Sequence, residues 1–215
     1  MNLITLTDPR SPVSESYRTL RTNLSFSSLD RPLRTLVITS AAPEEGKSTT
    51  IANLAVTIAQ GGKKTILVDC DLRRPSLHTI FGLNLEPGLT NMLLDENSPP
   101  PLQQTPVEDL FLLTSGAKPP NPADLLGSTK LDKVIERLTE MADIVLFDAP
   151  PVIAVTDAAI LGSKVDGVLL VVQAGKTRRD HAERAKEMLE KANINIIGVT
   201  LTNAPKDNTI GGYYE

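Results

Sequence analysis

Cysteine and histidine are nearly missing from these 215 residues: Cys70 stands alone, and His78 and His181 are the only imidazoles. A single cysteine excludes an internal disulfide. Three scattered soft ligands also leave no Cys/His cluster of metal-site spacing, so any bound metal must take oxygen ligands. Long apolar runs are missing too. No stretch approaches the roughly 18 to 20 uninterrupted apolar residues of a membrane helix, and Met1 to Arg10 lacks the apolar segment of a signal peptide. The expected location is the cytoplasm, at a membrane only where a partner tethers the chain. The third absence is basic excess: 22 Lys and Arg against 26 Asp and Glu leave a net charge of −4. Such a surface is unsuited to neutralising a phosphate backbone, which argues against nucleic acid as a partner.

What is present reads as one packed domain. Hydrophobic residues make up 40% and charged residues 22% of the chain, the ordinary globular balance, and the length supports one sizeable core. Runs at Thr35 to Thr39, Thr65 to Asp69, Leu110 to Thr114, Ile144 to Asp148, Val168 to Val172 and Ile196 to Leu201 are continuous in Val, Ile and Leu. Strands covered on both faces have that composition. Helices are expected at Lys47 to Gln60, stopped by Gly61-Gly62, at Ser128 to Met141 and from about Thr177 to Ala192. Glu96 to Pro106 and Lys118 to Pro122 are proline-rich and read as irregular. Alternating strands and helices predict a doubly wound α/β fold with a mostly parallel sheet, its ligands bound at the carboxyl ends of the strands.

Two kinds of motif fall at such ends. After the first strand comes Ser40-Ala41-Ala42-Pro43-Glu44-Glu45-Gly46-Lys47-Ser48-Thr49, followed at once by a helix. A loop so placed aims backbone N–H groups and a helix N-terminus at a phosphate; Lys47 reaches the β and γ phosphates and Ser48 offers its hydroxyl to Mg²⁺. Glu45, Gly46, Lys47, Ser48 and Thr49 are therefore the expected ATP contacts. Ala41 replaces the usual first glycine of such a P-loop, and Glu44 and Glu45 put acid beside an anion site. Asp69 and Asp71 follow the second strand, and Asp148 ends the fourth. Three strand-end carboxylates can hold Mg²⁺ through its waters and accept a proton from an attacking hydroxyl.

The combination resembles the bacterial tyrosine kinases (BY-kinases) of capsule and exopolysaccharide synthesis, over nearly the whole chain. That family carries a P-loop, an Asp-x-Asp-x-Arg motif matched by Asp69, Asp71 and Arg73, and a strand-end aspartate matched by Asp148. Its Glu-x-x-Arg-x-x-Arg motif is matched by Glu15, Arg18 and Arg21, on a helix whose Tyr17, Leu20 and Leu24 form an inward apolar stripe. Pro87-Gly88-Leu89-Thr90, Ser115-Gly116 and Asp157 also look like the family, without an assigned role.

The resemblance implies an ATP-dependent protein tyrosine kinase spanning 1–207, with an oligomerisation region at 1–30 and a tyrosine-containing tail at 208–215. Lys47, Asp69, Asp71 and Asp148 would be catalytic, with Asp69 or Asp71 as the base. Ser48, Asp71 and Asp148 would serve Mg²⁺, and Asn203 would contact the adenine. Glu15, Arg18 and Arg21 would join a homo-oligomeric ring, an octamer in the family. Tyr213 and Tyr214 would be phosphorylated between subunits, along with tyrosines of other proteins. A transmembrane activator of the polysaccharide co-polymerase type is implied, whether as a separate partner or as part of a longer chain. The rival reading is a partition or division-site ATPase switch, whose P-loop has a second lysine where this chain has Ala42.

Overall fold

The computed structural model describes residues 3–27, 32–95 and 98–205. Nine helices and seven strands alternate among these residues. The strands are β1 (Thr35–Ser40), β2 (Thr65–Asp69), β3 (Gln103–Gln104), β4 (Leu110–Leu113), β5 (Ile144–Asp148), β6 (Gly167–Gln173) and β7 (Ile196–Thr202). The helices are α1 (Ile4–Thr7), α2 (Pro12–Phe26), α3 (Lys47–Gln60), α4 (Leu77–Phe81), α5 (Leu89–Leu94), α6 (Pro122–Gly127), α7 (Thr129–Met141), α8 (Asp157–Gly162) and α9 (Arg179–Lys191).

The strands form one sheet in the order β3-β4-β2-β5-β1-β6-β7, parallel except where β3 meets β4. All six expected strands are present. In β1, β2, β4, β5 and β6 the continuous apolar character follows from having an apolar cluster on each face, whereas β7, at the sheet edge, leaves Val199 and Leu201 exposed. Val37, Ile66, Val68, Val145, Phe147 and Leu170 point into one cluster with α5 to α9. Their neighbours Leu36, Ile38, Leu67, Leu146, Leu169 and Val171 point into the other with α1 to α4. Period-2 alternation persists in the backbone, but both faces are dry. Each fully buried Leu or Ile contributes about 1.5–3 kcal/mol relative to exposure.

Two stretches expected to be irregular are partly ordered. Inside Glu96 to Pro106, Gln103 and Gln104 pair antiparallel to Leu112 and Phe111. The Gln103 amide makes this possible: Oε1 accepts from Asn84 N at 3.1 Å and Nε2 donates to Asn84 O at 2.8 Å. Two glutamines carry no apolar pattern, so side-chain pairing of this kind leaves no trace in the hydropathy. At the end of Lys118 to Pro122, Pro122 opens α6, where its fixed φ and missing N–H suit the first helical position. The helix expected from Thr177 begins at Arg179, because Thr177 is used elsewhere.

Helix α3 is buried along nearly its whole length. Asn53 on it accepts from Thr5 N (3.1 Å) and Thr5 Oγ1 (2.9 Å) and donates to Thr49 O (2.9 Å), pinning α1 to α3. In α2, Leu24 is buried and Leu20 packs against the same cluster, as the apolar stripe predicts.

Candidate active site

The sheet order brings three loops together. β5 lies between β2 and β1, so the acids ending β2 and β5 stand beside the loop leaving β1. Asp69 and Asp148 are direct partners in the parallel register, and Ile38 of β1 pairs with Asp148 on the other side. Adjacent parallel strands run about 4.8 Å apart, which places these carboxylates among the buried charges of one small volume.

The loop turns into α3 through Gly46, whose φ of 87° is in the left-handed region that favours glycine. Lys47 is buried. Its ammonium lies 3.0 Å from Asp71 Oδ2, 3.3 Å from Asp148 Oδ1 and 3.1 Å from Ser48 Oγ. Ser48 Oγ donates to Asp148 Oδ2 at 2.5 Å. Burial works to lower the Lys47 pKa, but Asp148 and Asp71 outweigh it and hold the lysine above its ordinary value. Burial raises the Asp148 pKa, with Lys47 and Ser48 opposing. Asp69 is pushed up to about 7, first by burial and then by the charge of Asp148.

Asp69 and Asp71 have different environments. Asp69 is fully buried, and its oxygens accept from the backbone N–H groups of Asp71 (3.2 Å), Ser76 (3.0 Å) and Leu77 (3.0 Å). Asp71 accepts from Arg74 N with one oxygen and faces Lys47 with the other. It lines a cleft of about 510 Å³ together with Gly46, Lys47, Ser48, Thr49, Arg73 and Pro150. Asp69 is absent from that lining. Of the two candidates for the base, Asp71 therefore faces the cleft and Lys47, while three backbone donors hold Asp69 in the loop that it organises.

The Glu45 side chain has partners of its own. Its carboxylate accepts from Ala42 N and Thr177 Oγ1 and lies outside the cleft lining, so within the chain its side chain braces the loop. Asn203 follows β7 in a left-handed conformation with φ 53° and lies outside the cleft lining. Among the described residues no group of three or more His, Cys, Asp or Glu side chains is arranged to hold a metal by itself.

Arg73 donates from Nε and one terminal nitrogen to the two oxygens of Asp157, at 2.9 and 3.0 Å. Asp157 is wholly buried at the start of α8. This bidentate clasp joins the loop after β2 to the segment after β5 across the cleft. Both residues resemble the family's, but 84 positions separate them and no local pattern in the sequence connects them.

Glu15, Arg18 and Arg21 sit on α2, away from the cleft. Arg18 pairs with Glu15 at 2.8 Å and donates to Pro9 O at 2.6 Å. Arg21 donates to Thr57 O at 2.7 Å, at the end of α3 opposite Lys47. The charged groups expected to join subunits are thus partly engaged within the chain. Tyr213 and Tyr214 lie outside the described residues.

The ParA family model, described as NUBPL iron-transfer P-loop NTPase, matches residues 33–204. The chain is 45% identical over 215 residues to tyrosine-protein kinase YwqD of Bacillus subtilis (strain 168), covering 99% of this chain and 91% of that protein. The chimerical protein CapA2B2 has a solved structure that superposes with a TM-score of 0.91 at 40% identity, covering 95% of this chain and 90% of that one. The kinase domain of Escherichia coli tyrosine kinase ETK superposes with a TM-score of 0.91 at 31% identity, over 97% and 82% of the two chains. These relatives support the partition or division-site reading less than the kinase reading, and position 42 is Ala where that reading expects a second lysine. On the P-loop, the three strand-end aspartates and relatedness along its whole length, this chain belongs to the bacterial tyrosine kinases within the ParA-type P-loop NTPases.

Proposed function

We propose that this tyrosine kinase moves the γ-phosphoryl group of Mg-ATP onto tyrosine hydroxyls, including Tyr213 and Tyr214 of neighbouring copies and tyrosines of other polysaccharide-assembly proteins. The observation that carries the proposal is the Lys47 ammonium bracketed by Asp71 at 3.0 Å and Asp148 at 3.3 Å at the mouth of a phosphate-binding loop. Phosphate oxygens compete with Asp71 for that ammonium, so nucleotide binding draws Lys47 to the phosphates and frees a carboxylate beside them. Asp71 then accepts the phenol proton as the tyrosine oxygen bonds to phosphorus and the bond to the leaving ADP oxygen breaks. Lys47 stabilises the charge on the transferring group. Asp148 orients Ser48 and Lys47, and Asp69 shapes the loop that presents Asp71.

Ser48, Asp71 and Asp148 are an all-oxygen donor set gathered at one point, which fits Mg²⁺, a cation that keeps several waters and takes few protein ligands. Bound there, Mg²⁺ neutralises phosphate charge. Among the described residues no helix is long and apolar enough to cross a membrane. Recruitment to the inner face of the membrane by a transmembrane activator of the co-polymerase type is part of the proposal, supported by a relative solved as a chimera. So is a ring, octameric by family resemblance, in which Glu15, Arg18 and Arg21 exchange internal partners for a neighbour's.

Radiolabelled ATP tests the reading. Wild-type protein with an activating tail should label tyrosine, Tyr213→Phe plus Tyr214→Phe should remove most of the label, and Lys47→Ala or Asp71→Asn should lower kcat about a hundredfold or more. ATP hydrolysis without tyrosine labelling would overturn it.

A further inference from the structure

A buried carboxylate in a phosphate-binding loop opposes the loop's own ligand, and Glu45 is such a group, only 1% exposed. Its two oxygens are both engaged. One accepts from Ala42 N at 3.0 Å, within the loop. The other accepts from Thr177 Oγ1 at 2.6 Å, and Thr177 Oγ1 in turn accepts from Gln173 N at 2.7 Å. The Glu45 carbonyl accepts from Thr202 Oγ1 at 2.8 Å, and the Thr202 methyl stands 3.5 Å from where a side chain on Gly46 would begin. Lys176 Nζ donates to the Glu44 carbonyl at 2.8 Å.

The loop needs such support. It has one glycine, Gly46, with Ala41 at the other position where a P-loop usually has glycine, and both Glu44 and Gly46 are left-handed, at φ 60° and 87°. Gly46 adopts this region freely, but a non-glycine residue such as Glu44 stays in it only when the surroundings over-determine it. Here the surroundings are the 174–178 segment between β6 and α9 and the end of β7, neither of which lines the cleft.

We infer that Glu45 and Thr177 are positioning residues of the nucleotide site, and that the 174–178 segment is coupled to phosphate occupancy through them. Coupling of this kind is reciprocal: if the Glu45–Thr177 bond favours the phosphate-binding conformation, phosphate binding must stabilise that bond to the same extent. The inference rests on the nucleotide-binding reading of the loop and not on the tyrosine-kinase step.

Fluorescent ADP with Mg²⁺, titrated into the full chain, reads the affinity, and hydrogen exchange of the 174–178 amides reads the coupling. Thr177→Val and Glu45→Gln should each weaken ADP about tenfold, the loss expected for a buried hydrogen bond to a charged group. Thr177→Ser, which keeps the hydroxyl, should stay within about twofold. Bound ADP should slow exchange at 174–178 in wild type and not in Thr177→Val. In kinase assays the loss should fall on KM for ATP rather than on kcat. Wild-type affinity in Thr177→Val and Glu45→Gln would overturn the inference, and so would a lowered melting temperature with affinity and exchange unmoved. A wild-type protein that fails to bind ADP would refute the nucleotide reading itself, whereas ADP binding without tyrosine labelling would remove the kinase step and leave this coupling intact.

Discussion

Removing Arg73 should cost more than removing both members of its clasp. Asp157 is wholly buried, and its oxygens are held by Arg73 at 2.9 and 3.0 Å, while the Arg73 side chain is 39% exposed. Arg73→Ala leaves a buried carboxylate without its partner, a situation that costs about 3–5 kcal/mol in a fully buried pair. The exposed side of Arg73 admits water to that carboxylate, which discounts the figure to about 2–3 kcal/mol. Asp157→Ala leaves only an arginine that can swing into solvent, so it should cost about 1–2 kcal/mol, much of it packing. At about 2–4 °C per kcal/mol for a chain of this length, Arg73→Ala should melt roughly 4–12 °C below wild type. The double variant should recover part of that loss. Calorimetry on wild type, both single variants and the double variant closes the cycle. Additive losses, or a double variant less stable than Arg73→Ala, would show that the clasp is not the energetic unit described. Because Asp71 lies two residues from Arg73, tyrosine labelling should fall in Arg73→Ala even well below its melting temperature.

Three further outcomes are expected. The folded-state pKa of Asp69 is raised to about 7 from 3.8, so between those values the native state holds a proton that the unfolded chain has released. Its contribution to stability is present at about pH 4 and is lost as pH rises through 7. Asp69→Asn should therefore flatten the pH dependence of the melting temperature over that window; an unchanged slope would refute the assignment. Gly88→Ala would place a Cβ 2.3 Å from both Gly116 N and Thr114 O, backbone atoms that cannot rotate aside. It should destabilise the chain by about 1–3 kcal/mol or more in a denaturant titration, whereas Gly127→Ala, whose Cβ meets nothing closer than 4.0 Å, should not. Asn53→Ala would leave Thr5 without its acceptor and should cost about 1–3 kcal/mol, with limited proteolysis showing earlier cleavage around α1.

The strands, the P-loop and the strand-end acids were legible in the sequence because each depends on local order. A run such as Ile144 to Asp148 must be a strand with two dry faces, and Gly46-Lys47-Ser48 after a strand must open a helix toward an anion. β3 was hidden because its support is one glutamine side chain pairing with Asn84, which no periodicity reports. The roles within the site were hidden for a different reason. Asp69 and Asp71 are equivalent in sequence, both strand-end acids two residues apart, and they separate only when the chain turns after β2. That turn gives the oxygens of Asp69 to three backbone N–H groups and leaves Asp71 facing Lys47. Glu45 similarly reads as an acid beside a phosphate until Thr177, 132 residues away, is brought onto its carboxylate. Sequence by itself determined which chemical groups are present and at which strand ends. Tertiary structure decided which of them face the cleft, because a buried carboxylate turns to whichever donors the fold brings within hydrogen-bonding distance.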